Sequence, residues 1–535
     1  MAQIRAADVL ARRLRAAGCR RAFGMPGGEV LTLVDALGRA GIDFVLCHHE
    51  TAAGFMAEGA HHMDGAPAIL VATVGPGAMN AVNVVANAEQ DRVPLIVLTG
   101  AIDADEVETY THQLVDHRAV FAPITKAGFT LTPGAAGVQA DKAVRIATGG
   151  AGGRSGPVHV DIPISVADAM VDDAPIVRPD AAPGAIDAAA LARARAALAR
   201  AERPIMLAGL DAVRDGAGPA IRAFCEAHSV PLVTTYKGKG LLPEDHPLCL
   251  GGAGLSPLAD RHLLPLFRDA DLILLAGYDP IEMRTGWRDA WDPDAQTVVD
   301  IAHAPNLHGM HGATIEVIAP VDATLDAISA DVAASPVWDV GATRKALRDA
   351  FAVRGWGPDA IVAACRSAAP AGTVVTIDSG AHRILLSQMW HCDGPRQMLQ
   401  STGLCTMGCA LPLAIGAKRA APERPVIGFM GDAGFLMVAG ELASAAMLAL
   451  PVVFVVFVDR SLALIELKQR QRQLSNAGVD FEGPDYAAVA RGFGGHGVTV
   501  RDAEALRDAV ATALEADRFT LIAAEFDRRA YDGRI

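Results

Sequence analysis

Aromatic residues make up only 5% of the 535 positions, and positive charge is in deficit: 47 Lys and Arg stand against 61 Asp and Glu, for a formal charge of -14. An acidic surface argues against nucleic acid or an anionic membrane as the main partner. No uninterrupted apolar run reaches the ~18 residues of a membrane-spanning helix. The opening segment, MAQIRAADVLARRLRAAG, spaces its arginines through an amphipathic pattern. It has neither an apolar h-region nor a small-residue cleavage site, so no signal peptide is expected and the cytoplasm is the expected location. The eight cysteines, at 19, 47, 225, 249, 365, 392, 405 and 409, include no CxxC pair. Their spacing suits neither zinc nor a disulfide framework, and they read as small buried hydrophobes in a reducing compartment. Low-complexity tails are also lacking.

What is present is apolar: 51% of residues, with 53 glycines. That is enough for several cores and unlike a disordered chain. At roughly 100–200 residues per domain, the length suggests about three. Helical periodicity over 7–17 and 30–39 alternates with short apolar runs at 21–24, 44–47, 68–73 and 95–99. This is the strand–helix–strand pattern of a buried parallel sheet. A stretch over 171–188, punctuated by Pro, Asp and Gly, reads as a linker. Strands are expected again at 204–208, 231–234, 272–276 and 297–300, then a break near 334–341, then strands at 373–377, 425–430 and 452–458. The expected fold class is α/β, with three doubly wound domains of mainly parallel sheet at 1–172, 187–333 and 355–535. The first and third share a layout that residue identity does not show to be a repeat.

The most specific chemistry lies in the third block. Gly431-Asp432-Ala433-Gly434-Phe435 follows an apolar run ending Phe429-Met430, and a helix rich in small residues is expected from Glu441 to Leu450. A second apolar run ends Phe457-Val458-Asp459-Arg460-Ser461. Asp432 and Asp459 thus sit at C-terminal strand ends, where open α/β sheets bind ligands. Two carboxylates there suit magnesium, which takes one or two carboxylates and completes its octahedron with phosphate oxygens and water. The Gly434 turn is expected to start a helix whose N-terminal amides receive phosphate. A lone Asp in such a place more often caps a helix or closes a turn. The pair in matching contexts favours a cation.

These residues resemble the cofactor motif of the thiamine diphosphate-dependent decarboxylase and acetohydroxyacid synthase superfamily, Gly-Asp-Gly followed downstream by Asn-Asn or Asn-Asp. Asp459 falls 27 positions after Asp432, Ala433 replaces the usual second Gly, and Val458 replaces the first Asn. The resemblance implies that the Asp432 and Asp459 side chains and the Ser461 carbonyl bind magnesium, with Gly431, Ala433 and Gly434 beside the diphosphate. It implies a pyrimidine-binding first domain, a central domain and a pyrophosphate-binding third. Phe23-Gly24-Met25-Pro26-Gly27-Gly28 is similar to the family's Phe-Gly-x-Pro-Gly turn. His48-His49-Glu50 and the helical pattern after it are similar to the catalytic-glutamate segment. Val74-Gly75-Pro76-Gly77-Ala78-Met79-Asn80 and Asp91-Arg92-Val93-Pro94 match further elements. Pro26, Gly27, Thr73 and Asn80 become cofactor-binding candidates on that basis. Glu50 would hold the aminopyrimidine ring in its imino tautomer, which takes the proton from the thiazolium carbon, and burial would keep such a Glu partly protonated. Read alone, Glu50 is more often a first-turn acid favoured by the helix dipole. Gly403-Leu404-Cys405-Thr406-Met407-Gly408 resembles the segment that grips the aminopyrimidine. There Met407 would wedge between the two rings and the Cys405 carbonyl would accept from the amino group. The family places Glu50 and Asp432 in facing domains of different subunits, which implies a homodimer or homotetramer.

Substrate-facing positions are less specific. Thr111-His112-Gln113 precedes Ile124-Thr125-Lys126, resembling a Phe-Gln-Glu element of acetohydroxyacid synthase-like proteins; His112 and Leu114 depart from it. Gln113 is a candidate catalytic residue, and His112 reads equally as an acid or base and as a loop histidine in solvent. Ile465 aligns near the acid that protonates the intermediate in pyruvate decarboxylases, while the adjacent Glu466 points about 100° away on a helix. His382 reads either as a substrate sensor or as a turn cap. A Trp-containing segment of true acetohydroxyacid synthases is replaced by Lys468-Gln469-Arg470-Gln471, leaving a catabolic role open. Flavin-containing relatives bind FAD in the central domain and others keep that domain without it; the missing GxGxxG fingerprint weighs against flavin here. The expected activity is carboligation or decarboxylation of a small 2-oxo acid, closest in layout to the acetolactate synthase large-subunit group. The alternatives are a non-carboligating 2-oxo acid decarboxylase, a 2-hydroxyacyl-CoA lyase, or, from another class, a nucleotide-binding oxidoreductase.

Overall fold

The computed structural model describes residues 3–150, 153–173 and 185–535. The linker expected over 171–188 falls mostly outside these. Eighteen strands build three six-stranded, all-parallel sheets. The first holds β1 (Arg21–Met25), β2 (Asp43–Leu46), β3 (Ala68–Ala72), β4 (Leu95–Ala101), β5 (Ala127–Thr130) and β6 (Val158–Pro163). The central sheet holds β7 (Pro204–Ala208), β8 (Leu232–Thr235), β9 (Cys249–Ala253), β10 (Leu272–Ala276), β11 (Thr297–Ala302) and β12 (Ile315–Ile318). The third holds β13 (Val374–Ile377), β14 (Met398–Gln400), β15 (Val426–Gly431), β16 (Val453–Val458), β17 (His496–Val500) and β18 (Thr520–Glu525).

Parallel sheets are covered by helices on both faces, so their inner strands are continuously apolar. Every residue of β3, β7, β10 and β16 is buried. The first sheet runs β2-β1-β3-β4-β6-β5 and the third β14-β13-β15-β16-β18-β17. Renumbered within each domain, the two orders are identical, which supplies the repeat that residue identity left open. The central sheet differs, running β9-β8-β7-β10-β11-β12.

The first and third domains share one core. Helix α1 (Glu50–Asp64) and helix α3 (Ala410–Ala420) pack so closely that a Cβ on Gly59 would lie 2.2 Å from the Leu413 carbonyl oxygen. A Cβ on Gly416 would lie 1.9 Å from that of Met56. Phe23, Phe55, Leu411 and Phe454 belong to the same buried cluster. A short helix, α2 (Pro76–Asn80), lies between these two in sequence and follows β3.

One sequence expectation needs correction. The helix placed at 441–450 is a short segment, Leu442–Met447, after a 3-10 turn at Ala439–Glu441. The helix that follows β15 begins earlier, as α4 (Asp432–Val438). Gly434 is therefore inside α4 rather than at its start, and Gly431 occupies the N-cap position. Of the described helices, none is long and apolar enough to cross a membrane.

Candidate active site

Asp432 follows β15 and Asp459 follows the neighbouring strand β16, so the sheet brings the two carboxylates to one edge. Asp432 accepts backbone hydrogen bonds from Ala433 at 2.9 Å and Arg460 at 2.7 Å, and Asp459 accepts one from Ser461 at 3.0 Å. Burial pushes the Asp432 carboxyl up to about 6. Burial, followed by repulsion from Asp432, pushes Asp459 up to about 8. Neither carboxylate has a Lys or Arg ion pair among the described residues. A divalent cation would remove that repulsion, so the donor set fits magnesium. The Ser461 hydroxyl donates to Asp480 at 3.0 Å, and Asp480 in turn pairs with Arg528.

Both carboxylates line a cavity of about 310 Å³, within the ordinary range for a cofactor or drug-sized ligand. Its wall includes Gly431, Ala433, Gly434, Ser461, Cys405 and Met407, so the cofactor-binding candidates of the third domain come together. Asp378, at the end of β13, organises this wall. It accepts from the Gly408 and Cys409 amides at 2.9 Å each and lies where any Cβ on Gly434 would intrude. His382 is also in the wall, stacked on Phe457 with ring centroids 5.0 Å apart. Burial pushes its pKa down to about 3, so the ring is neutral, and its Nε2 is buried without a hydrogen-bond partner among the described residues. A neutral ring carries one N–H, and the Asp378 backbone carbonyl accepts it, which leaves Nε2 with a lone pair. Helix α5 (Ala463–Gln471) turns Ile465 into the cavity. Glu466 points away, to Arg470 at 3.2 Å and Arg529 at 3.8 Å.

Sequence reasoning missed three groups, two in the cavity wall and one supporting it. Arg284, from the loop after β10, reaches the cavity, and its guanidinium has no hydrogen-bond or ion-pair partner among the described residues. Arg383 is buried against Glu282 at 2.6 Å and the Ser401 carbonyl at 2.7 Å. Asp378 lies just beyond β13. Nothing in the local pattern distinguishes these residues, because each acts through a distant segment.

The first-domain candidates form a separate group, and none of them lines this cavity. Glu50 opens α1, is 4% exposed, and its Oε2 accepts from the Asn80 amide at 2.9 Å. A Cβ on Gly77 would lie 3.0 Å from its other oxygen. Gly27 packs on Thr73, whose hydroxyl donates to Glu29 at 2.5 Å. Pro26 is exposed beside them. Glu29 is a further polar group that the motifs did not indicate. Gln113 has a positive φ of 58° and its backbone lies against Gly75. His112 is exposed and meets Tyr110 edge-on. Seven of the eight cysteines are buried; Cys405, at a φ of 55°, is exposed.

Three family models match: the thiamine pyrophosphate enzyme N-terminal TPP binding domain over residues 4–120, the central domain over 191–328 and the C-terminal TPP binding domain over 378–524. The large subunit of acetolactate synthase isozyme 1 from Escherichia coli is 31% identical over 91% of this chain and 88% of its own length. The chain belongs to the thiamine pyrophosphate enzyme family. Acetolactate synthase of Bacillus subtilis is 30% identical over 96% of this chain and 91% of its own. The catabolic acetolactate synthase of Raoultella terrigena is 28% identical, covering 98% and 95% respectively. This thiamine pyrophosphate enzyme thus aligns with its relatives through all three domains, and it is a thiamine diphosphate-dependent enzyme of acetolactate synthase type.

Proposed function

We propose that the enzyme decarboxylates a small 2-oxo acid and joins the remaining fragment to a second carbonyl compound, using thiamine diphosphate and magnesium. The cavity carries the reading: paired carboxylates, the apolar Ile465 in the wall, and Arg284, unpaired among the described residues and suited to a substrate carboxylate. Thiamine diphosphate, when bound, supplies a thiazolium carbon that adds to the substrate carbonyl and takes up the electrons left by decarboxylation.

In this reading Asp432, Asp459 and the Ser461 carbonyl hold magnesium. Gly431, Ala433 and Gly434 would receive the diphosphate, and Met407 and the Cys405 carbonyl would hold the aminopyrimidine end. Glu50, oriented by Asn80, would hydrogen-bond the aminopyrimidine, with Pro26, Gly27 and Thr73 completing that half of the site. Gln113 and His112 face substrate. The three blocks 1–172, 187–333 and 355–535 divide the work as pyrimidine-binding, central and pyrophosphate-binding domains. Because Glu50 is not on the cavity of its own chain, the working unit is a homodimer or homotetramer in which another subunit supplies it. The buried, unpaired cysteines support a cytoplasmic location.

The central domain is proposed to work without FAD. Ligands of doubly wound sheets bind outside the strand ends where the strand order reverses, here between β7 and β10. Arg92 of the first domain occupies that crevice, paired with Asp211 at 2.8 Å and with Asp279.

The test is carbon dioxide release from pyruvate with thiamine diphosphate and magnesium, with identification of the organic product. Acetolactate supports the proposal, and acetaldehyde alone replaces it with simple decarboxylation. No turnover in a preparation shown to bind thiamine diphosphate rejects pyruvate as donor. Arg284→Gln is expected to raise the KM for the 2-oxo acid about tenfold or more, the loss of roughly one charge-assisted hydrogen bond, with cofactor affinity unchanged.

A further inference from the structure

Four buried polar side chains sit behind the first-domain half of the site, and no family motif covers them all. Thr99, His117, His159 and Asp161 are all buried. His117 Nδ1 lies 2.9 Å from Asp161 Oδ1. The Thr99 hydroxyl donates to the same oxygen at 2.7 Å and lies 2.7 Å from His159 Nε2. Burial favours the neutral acid of Asp161, but hydrogen bonds from His117 and His159 outweigh it and hold the carboxyl below the usual range. A carboxylate only accepts, so Nδ1 of His117 carries the proton and Nε2 is left with a lone pair. That lone pair accepts the Gly75 N–H at 3.0 Å. The three ionisable groups lie close enough together to hold a metal ion, but their ligand atoms are already engaged with one another.

Gly75 begins the turn that shapes the surroundings of Glu50. Its φ of 66° belongs to the left-handed region, and an added Cβ would lie 2.7 Å from the Gln113 carbonyl oxygen. From this turn α2 starts; Gly77 abuts one Glu50 oxygen and Asn80 donates to the other. We propose that His117, held in one tautomer by Asp161, is a positioning residue that fixes the Gly75–Gly77 turn and so sets the orientation of the Glu50 carboxylate. This rests on the proposed role of Glu50.

The variants His117→Asn and His117→Gln test it. The Asn amide reaches Asp161 and not Gly75, whereas the Gln carbonyl extends to the position of Nε2. Three quantities are measured: proton exchange at the thiazolium carbon of bound thiamine diphosphate, thiamine diphosphate affinity, and amide exchange of residues 74–80 without cofactor. The expected result for His117→Asn is a tenfold or greater slowing of thiazolium exchange, cofactor affinity within threefold of the parent and faster amide exchange at 74–80. His117→Gln is expected to recover most of both exchange properties. A purely structural role would lower affinity and the thermal midpoint in both variants without this split, and would overturn the proposal. So would a Gly75 amide that exchanges freely in the parent enzyme, a result that needs no variant to fold. Glu50→Gln is the control. If it leaves thiazolium exchange unchanged, the Glu50 reading fails; if it slows exchange while His117→Asn does not, only the positioning role fails.

Discussion

Asp260 shows how much one buried carboxylate governs. It accepts from the Trp287 indole at 3.0 Å, and burial pushes its pKa up to about 6 against the pull of Trp287 and Arg284. An unfolded Asp titrates near ~3.9, so the folded chain binds an extra proton between those values. The sign follows: stability from this group is greatest below about 4 and falls as pH rises through about 6. Asp260→Asn can keep its amide oxygen on Trp287 without a charge. Its urea midpoint is expected above the parent's at pH 8, with the gap closing by pH 4. A variant less stable than the parent at pH 8 would contradict this account. At this scale the sequence made Asp432, Asp459 and Glu50 legible, because a strand end or a helix start marks each one. It did not reveal Asp378, His117 or Arg284. Asp378 acts on amides 30 and 31 residues away, and His117 on one 42 residues away. No local pattern encodes such a distance.

Among the elements, most inner strands were legible, although β6 and β18 were not, and of the outer strands only β2 was. The runs at 204–208 and 272–276 match β7 and β10 residue for residue, since both are apolar throughout. β9 contains two glycines, β12 alternates buried with exposed positions, and β17 has a single buried residue, so none offers a continuous apolar run. The early start of α4 was hidden for another reason: small residues on both sides of Asp432 carry little helical periodicity. The contact of α1 with α3 gives the sharpest test. A methyl group at Gly416 has no room against the Met56 carbonyl, and backbone cannot rotate aside as a side chain can. Gly416→Ala is expected to cost ~1–3 kcal/mol by overpacking, read as a lower urea midpoint. No change would mean that the two helices can separate without penalty.

Across the whole molecule, three domains meet through buried ions rather than through apolar surface alone. Asp91 of the first domain pairs with Lys237 of the central one at 2.8 Å, and accepts from the Thr402 and Gly403 amides of the third at 2.9 and 2.8 Å. Removing it leaves a buried ammonium and two unpaired amides. Asp91→Ala is expected to destabilise by about 3–5 kcal/mol, whereas Asp91→Asn, which keeps an acceptor, should cost less. Equal unfolding midpoints for the two would show that charge and acceptor are both dispensable there. The α/β class and three-part layout could be read from periodicity and breaks. The matching strand orders of the first and third sheets could not, because order is set by which crossover passes over which strand.

The orientation of helix α5 has an evolutionary side. Ile465 faces the cavity and Glu466 faces Arg470 and Arg529, so the wall withholds a proton at that point. Under the proposed function, the fragment left by decarboxylation then waits for whichever partner arrives first, and the mixture of products tracks the supply of acceptor. A single-residue slip in the helix would bring the acid round to the cavity and end the wait. The difference between joining two molecules and trimming one would then be a matter of phase along one helix, open to change by one deleted codon.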